Sequence, residues 1–446
     1  MLKETKISAI ILYLTSSLIP MGKTYIYKLL DLSFLFGRFP HLRKEYPLGL
    51  VRVIQISIND IIFIFIILYF LFLIKENRKQ FMKLIKKLDL IDIILFCFFG
   101  WNFISNFIVS KNPFFSFYFQ KELLKTIFIY FFIKIVLLLN KNYYQSVFLV
   151  LIKFFIAAVA FESLLSLYQF FNQSPFGKNI EATHGIELFG KAADEITFYF
   201  RPVGTFTHAN FLAMWLSTLI FFLIYLFRLK NFKNLSLLIL IFFSLLIIIL
   251  TLSRSAWFSL FICLLFLSFY FEYYKKKVFF PIKYLIYLPI FFLPFISIIL
   301  DRLLKTIFIL NEGGLILRLK QIEEISKLIK ISPFFGWGTG QTVVSAIKIN
   351  PYGIFASQPF EVHNFYLIIT AENGIIYLIL FFIFLFLVFK KTIFLKDDFS
   401  VFYLSMLTNL LIIGLFQPYI FMDLILYFIP FLNFNPSKNE AIKKYI

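Results

Sequence analysis

The chain has 446 residues, of which 61% are hydrophobic and 15% charged, with a formal net charge of +20. A soluble domain is about 25% charged and lacks repeated apolar runs near 20 residues, so these numbers exclude an ordinary soluble fold. In a soluble protein such basicity would suggest nucleic acid. Here Lys and Arg flank apolar runs, where anionic lipid explains them, so membrane lipid is the expected partner and nucleic acid is not.

The runs are continuously apolar rather than alternating. Every backbone N–H and C=O must be paired inside lipid, so helices are predicted rather than a barrel. About 12 spans are predicted, at 7–21, 57–74, 90–109, 122–140, 146–171, 209–227, 235–251, 256–271, 278–300, 364–389, 399–416 and 420–433. The predicted fold class is therefore all-α, a polytopic membrane helical bundle forming a single integral membrane domain over 1–446. The opening MLKETKISAIILYLTSSLIP resembles a weak signal peptide but lacks a small-x-small cleavage site, so it is read as a retained first helix. Cys97 and Cys263 both fall in apolar runs, and neither reads as a disulfide or metal ligand.

Lys and Arg in short loops orient the spans. With a cytoplasmic N-terminus, the inside segments 75–87, 228–233, 273–277 and 390–391 are rich in Lys and Arg. Taken together, the inside segments hold about one such residue in three and the outside segments about one in eight. Both termini are then cytoplasmic, and three long segments lie outside: about 22–56, 172–208 and 301–363. A structureless loop of about 60 residues is unusual, and 315–331 has its own pattern. In LILRLKQIEEISKLIKI, Leu315, Leu319, Ile322, Ile325 and Ile329 share one helical face, with Arg318, Gln321 and Glu324 on another. This predicts an amphipathic helix at the membrane interface, in the long outside loop before the tenth span. SPFFGWGTGQ (332–341) then reads as a turn-rich connector.

Three arginines fall at the outer face: Arg201 in the second outside segment, Arg254 in TLSRSAW (251–257), and Arg318 on the amphipathic helix. Each alone also suits a helix end anchored at headgroups. As a set, their planar guanidinium forks suit a lipid-linked pyrophosphate. His363, in EVHNFYLIITAENGIIYL (361–378), is placed to serve as a general base, with Glu361 near enough in sequence to orient it and Asn364 near the helix cap. The competing reading of His363 is an interfacial histidine at a helix start. His208 and Asn210 open a span in FYFRPVGTFTHANFLAMW (198–215) and read as capping and positioning groups. His41 and His184 stand in no constellation. No GK[ST] follows the glycines of 336–340, no Asp-x-Asp pair is present, and the four histidines lack zinc-ligand spacing. Asp397 and Asp398 read as a solvated loop. No metal, cofactor or nucleotide donor is expected.

Four stretches go further: RPVGTFTHANFLAMWL, TLSRSAWFSL, LRLKQIEEISKLIKISPFFGWGTG and EVHNFYLIITAENGI, in this order. Together they resemble the O-antigen ligase and polymerase superfamily of bacterial membrane glycosyltransferases, over a core of about residues 200–380. The family often has His-Pro-Asn in the first motif, where this chain has His208-Ala209-Asn210. The resemblance implies transfer at the periplasmic face of the bacterial cytoplasmic (inner) membrane, with 301–363 as a periplasmic loop. The donor it implies is a glycan on undecaprenyl pyrophosphate. The acceptor is a lipid A–core sugar in ligases, another lipid-linked repeat in polymerases, and a protein hydroxyl in a third branch. It further implies a metal-independent, inverting displacement, with His363 as the base and Arg254, Arg318 and Arg201 on the pyrophosphate. A ligase is preferred, because HNFYL and the arginine pair match ligases well, with a polymerase next. A transporter of lipid-linked sugar would place polar groups near the midplane, commonly in repeated halves. Lys134 and Lys153, in or near spans, keep that reading open.

Overall fold

Apolar runs that must satisfy their own backbone in lipid fold as helices, and the described runs do so in the computed structural model. The structure describes residues 58–78, 88–110, 113–139, 143–173, 188–189, 199–206, 208–276, 293–297, 300, 313–357, 361–395 and 397–432. In chain order the helices are α1 (Ile58–Glu76), α2 (Leu90–Val109), α3 (Pro113–Leu139), α4 (Tyr143–Asn172), α5 (Ala209–Leu229), α6 (Leu235–Leu250), α7 (Arg254–Phe269), α8 (Gly313–Ile331), α9 (Thr342–Ile349), α10 (Ile354–Ser357), α11 (Phe365–Leu395), α12 (Asp398–Gly414) and α13 (Met422–Phe428). A short antiparallel ribbon of β1 (Leu188–Phe189) and β2 (Tyr199–Phe200) precedes Arg201, within the second predicted outside segment.

Five described helices are long and apolar enough to cross a membrane: 90–109, 147–172, 209–229, 254–273 and 365–395. Three shorter apolar helices accompany them, at 235–250, 398–414 and 422–431. This is an integral membrane protein of polytopic helical build. The predicted span at 7–21 lies outside the described residues, as does all of 278–300 except 293–297 and 300. The last predicted span is a seven-residue helix extended by a 3-10 turn to Phe431, well short of the roughly 20 residues a crossing needs. Large side chains such as Phe65, Phe107, Phe261 and Phe386 face outward, which costs nothing where the neighbour is lipid rather than water.

Local chemistry sets the ends. Asp89 and Asp92 form a reciprocal capping box at the start of α2. Asn234 caps α6, accepting from Leu237 N at 3.2 Å. Asp397 caps α12, accepting from Ser400 N at 2.9 Å, and Asp398 pairs with Arg228 at 3.3 Å. The expectation that these two aspartates lie in a solvated loop is thereby replaced: one is a cap and the other an ion-pair partner. α5 is the central helix, packed against α4, α6, α7 and α12. A second, smaller core joins α8, α9, α10 and the first turns of α11 through Ile325, Leu328, Val343, Ala346, Phe355, Val362, Ile368 and Ala371.

α8 is amphipathic, but its buried stripe differs from the expected one. Gln321, Ile325 and Leu328 point inward while Ile316 and Leu319 stay exposed. The polar Gln321 faces the small core because this helix packs on protein, not only on the membrane interface.

α11 is not one continuous helix. Gly374 has φ 82° and ψ 173°, which breaks the helix in its path through the bundle. A Cβ at Gly374 would sit 1.8 Å from the Phe334 carbonyl oxygen, so only glycine permits both this backbone and this approach.

Candidate active site

The polar end of the bundle is assembled from four segments that are far apart in sequence. The loop before α5 is held down by α4. Gln169 accepts from Val203 N and Gly204 N at 3.1 and 2.8 Å and donates to Gly204 O at 2.9 Å. Glu162 accepts from Thr205 N at 3.0 Å and from the Thr205 hydroxyl. Gly204 has φ +59°, and a Cβ there would meet the Glu162 carboxylate at 2.2 Å, so the tight approach requires glycine. Each such hydrogen bond contributes on the order of 1 kcal/mol, and leaving its buried partner unpaired costs more.

That anchored loop presents Arg201. Its Nε donates to Thr251 O at 2.7 Å and its Nη2 to Asn210 Oδ1 at 2.7 Å. The guanidinium therefore ties the start of α5 to the turn between α6 and α7. In that turn Leu252 adopts φ 54°, a strained choice for a non-glycine residue, and is buried. The turn delivers Arg254 as the first residue of α7. Ser253, at the N-cap of α7, makes no side-chain cap bond. The first N–H groups of α7 and the Arg254 guanidinium so lie at one helix start, a combination that favours an anion.

His208 is the N-cap of α5, its Nδ1 accepting from Asn210 N at 3.0 Å. As a neutral ring it then carries its proton on Nε2. Asn364 caps α11: its Oδ1 accepts from Leu367 N at 3.0 Å, and its Nδ2 donates to Leu415 O at 3.3 Å. His363, the residue before it, is half-buried, and its Nδ1 is buried without a hydrogen-bond partner. Burial, then the charge of Arg318, then that of His208, push its pKa down to about 4. His363 is thus a neutral imidazole at pH 7, standing in a positive field.

Of the residues singled out in the sequence, the structure joins Arg201 to Asn210 and to the Arg254 turn, and brings His363 within the charge field of Arg318 and His208. Glu361 lies near enough to Glu372 for its charge to be felt there. Sequence reasoning missed Gln169 and Glu162, which clamp the Arg201 loop. It also missed a buried polar ladder on α2. Asn102 Nδ2 donates to Asn373 Oδ1 at 2.9 Å, and Asn106 Oδ1 accepts from Thr339 N at 2.6 Å. The spacing of Asn102 and Asn106, four apart in an apolar run, was the available signal. No group of three or more His, Cys, Asp or Glu side chains that could hold a metal occurs among the described residues.

The fold and site define an integral membrane protein with arginine and histidine side chains gathered at one end of a helical bundle. A family model described as O-antigen ligase matches residues 239–382, and this match supports the O-antigen ligase superfamily. The matched stretch carries Arg254, Arg318, Glu361, His363 and Asn364, while Arg201, His208 and Asn210 lie just before it. No curated protein and no solved structure gives a match.

Proposed function

We propose that this protein is an O-antigen ligase-like glycosyltransferase. It moves a glycan from undecaprenyl pyrophosphate to an acceptor hydroxyl of a lipid A–core sugar, at the periplasmic face of the bacterial inner membrane. Both termini are then cytoplasmic. The observation that carries this reading is the neutral, half-buried His363 in the field of Arg318 and His208, on a chain whose O-antigen ligase match spans all but the last of these.

In the proposed reaction His363 accepts the proton of the acceptor hydroxyl. The oxygen attacks the anomeric carbon, the bond from that carbon to the pyrophosphate oxygen breaks, and configuration inverts. Arg318, and Arg254 with the open start of α7, hold the departing pyrophosphate and offset its growing negative charge, the role metal ions fill in many transferases. Arg201 adds its positive charge beside the same phosphates and, through its bonds to Thr251 O and Asn210, holds the turn that presents Arg254. A base with pKa near 4 is weak. An anionic donor on Arg318 would cancel part of the positive field and raise the proton affinity of His363, so the base strengthens when the donor is in place.

A polymerase of the same superfamily would use the same groups on a second lipid-linked chain, and a protein hydroxyl is a third acceptor. Deleting the gene in its host and analysing surface glycan beside lipid-linked intermediates separates these outcomes. A ligase leaves long polymer on undecaprenyl pyrophosphate and a bare acceptor. A polymerase leaves the acceptor with a single repeat. Unchanged glycans on lipid, core and protein would refute the transfer reading.

A further inference from the structure

We propose that Glu372 is a positioning residue that locks the 332–341 connector into the break of α11 and so fixes Arg318 relative to His363. The inference rests on the transfer reading above and extends it to a residue to which that reading gives no role.

The break at Gly374 leaves helix backbone groups in the bundle without their usual partners, and such groups must be paired in a water-poor interior. The connector supplies the partners. Trp337 N donates to Ala371 O at 2.9 Å, Gly338 N to Glu372 O at 2.8 Å, and Ile375 N to Pro333 O at 2.8 Å. The Glu372 side chain closes the set, its Oε1 accepting from Gly340 N at 2.7 Å. The approach is too close for side chains on either strand: a Cβ at Gly336 would lie 2.4 Å from the Glu372 carbonyl. On the far side, α2 grips the same connector through the Ser105 hydroxyl on Phe335 O and Asn106 Oδ1 on Thr339 N.

The geometric consequence runs to the reacting groups. α8, which carries Arg318, enters the connector directly at residue 332. His363 lies nine residues before Glu372, on the segment leading into α11. α8 and the first turns of α11 share the small core of Ile325, Leu328, Ile368 and Ala371. The clasp at Glu372 thus joins the two segments at one end, and their shared apolar core joins them along their length. Loosening the clasp would let α8 shift against α11, and misplacing a reacting group by about 1 Å can cost about a hundredfold in rate.

The distinction to test is acceptor against charge. Glu372→Gln keeps a carbonyl oxygen for Gly340 N–H; Glu372→Leu removes it at similar volume. Hydrogen exchange of 332–341 in the purified full chain reads the clasp without any activity. Exchange within about threefold of wild type is expected for Glu372→Gln, and at least tenfold faster exchange for Glu372→Leu. In turnover from a lipid-linked glycan donor, Glu372→Leu should lose about a hundredfold in kcat with donor KM within about threefold, and Glu372→Gln should recover most of it. Unchanged exchange in Glu372→Leu would overturn the clasp. Equal damage by Gln and Leu would overturn it too, since the negative charge itself would then be what matters. Gly374→Ala gives a second route to the same loosened connector if Glu372→Leu fails to fold. If wild type shows no transfer, the functional reading fails while the exchange result still decides the clasp.

Discussion

The two ends of the helix bundle handle charge in opposite ways. At one end, Lys134 lies 2.5 Å from Asp92 and 3.1 Å from Asp89, Lys391 lies 3.6 Å from Asp89, and Arg228 pairs with Asp398. Tyr130 completes the first cluster with a 2.7 Å bond to Asp92. Each of these cations meets a carboxylate. At the other end, Arg201 donates to the neutral oxygens of Thr251 and Asn210, and the Arg318 guanidinium helps burial to push the His363 pKa down. Charge neutralised within the protein fixes helix positions. A positive field at a buried histidine is what an anionic substrate would complete. Lys134, which the sequence places in or near a span, is engaged by Asp92 and Asp89.

Variants at the two ends should therefore fail differently. The largest effect is expected for His363→Ala: about a thousandfold loss of transfer in purified protein, with membrane insertion and melting temperature unchanged. At the opposite end, Asp92→Ala leaves Lys134 with the half-exposed Asp89 as its remaining carboxylate, and should lower unfolding stability by about 3 kcal/mol in denaturant titration, with transfer per folded molecule preserved. Loss of transfer without loss of stability in Asp92→Ala would erase the distinction between the ends. Next in size, Arg318→Ala should cost about a hundredfold in kcat/KM. Arg318→Lys should recover part of it, because an ammonium keeps the charge but not the fork.

A pH profile sharpens the comparison further. His363 has its folded-state pKa lowered to about 4, below the usual histidine value. Its neutral form is therefore favoured on folding, and protonation begins only as pH falls toward 4. The acid limb of kcat/KM, which reports the free enzyme, should lie near pH 4. Arg318→Gln removes a cation from beside the ring, so the limb should move upward, by about one unit. A limb that stays fixed would show that Arg318 does not act on His363. The smallest effect is expected on the exposed face of α8, where the pair of Lys327 and Glu323 at 2.7 Å should be removable by Lys327→Ala with no measurable change in melting temperature.

Much of this architecture was legible in the residues. The predicted spans at 57–74, 90–109, 146–171, 209–227 and 235–251 match α1, α2, α4, α5 and α6 to within three residues, because long apolar runs bounded by caps admit one solution. α3 begins nine residues before its predicted start at 122. Gln120 and Lys125 interrupt the apolar pattern there, yet both are buried, and their partners lie on elements that one segment cannot reveal. The break in α11 was hidden for the converse reason, since strongly apolar sequence flanks AENG on its C-terminal side and hydropathy averages over a single glycine. SPFFGWGTGQ was readable as turns, but its pairing with residues 371–375 is a tertiary match that no local spacing encodes. At the site, the types of the residues were legible and their bonds were not. Arg201 is bound to Thr251 and Asn210, a link across 50 residues of chain in the first case.

The most direct test reconstitutes the purified full chain in vesicles with an undecaprenyl-pyrophosphate-linked glycan and a lipid A–core acceptor, in the presence of EDTA. Glycosylated acceptor and freed undecaprenyl pyrophosphate are quantified together. The account predicts one pyrophosphate lipid released per glycan transferred, insensitivity to the chelator, and loss of both products in His363→Ala. Near-normal turnover by His363→Ala, or glycan transfer without release of the pyrophosphate lipid, would contradict it.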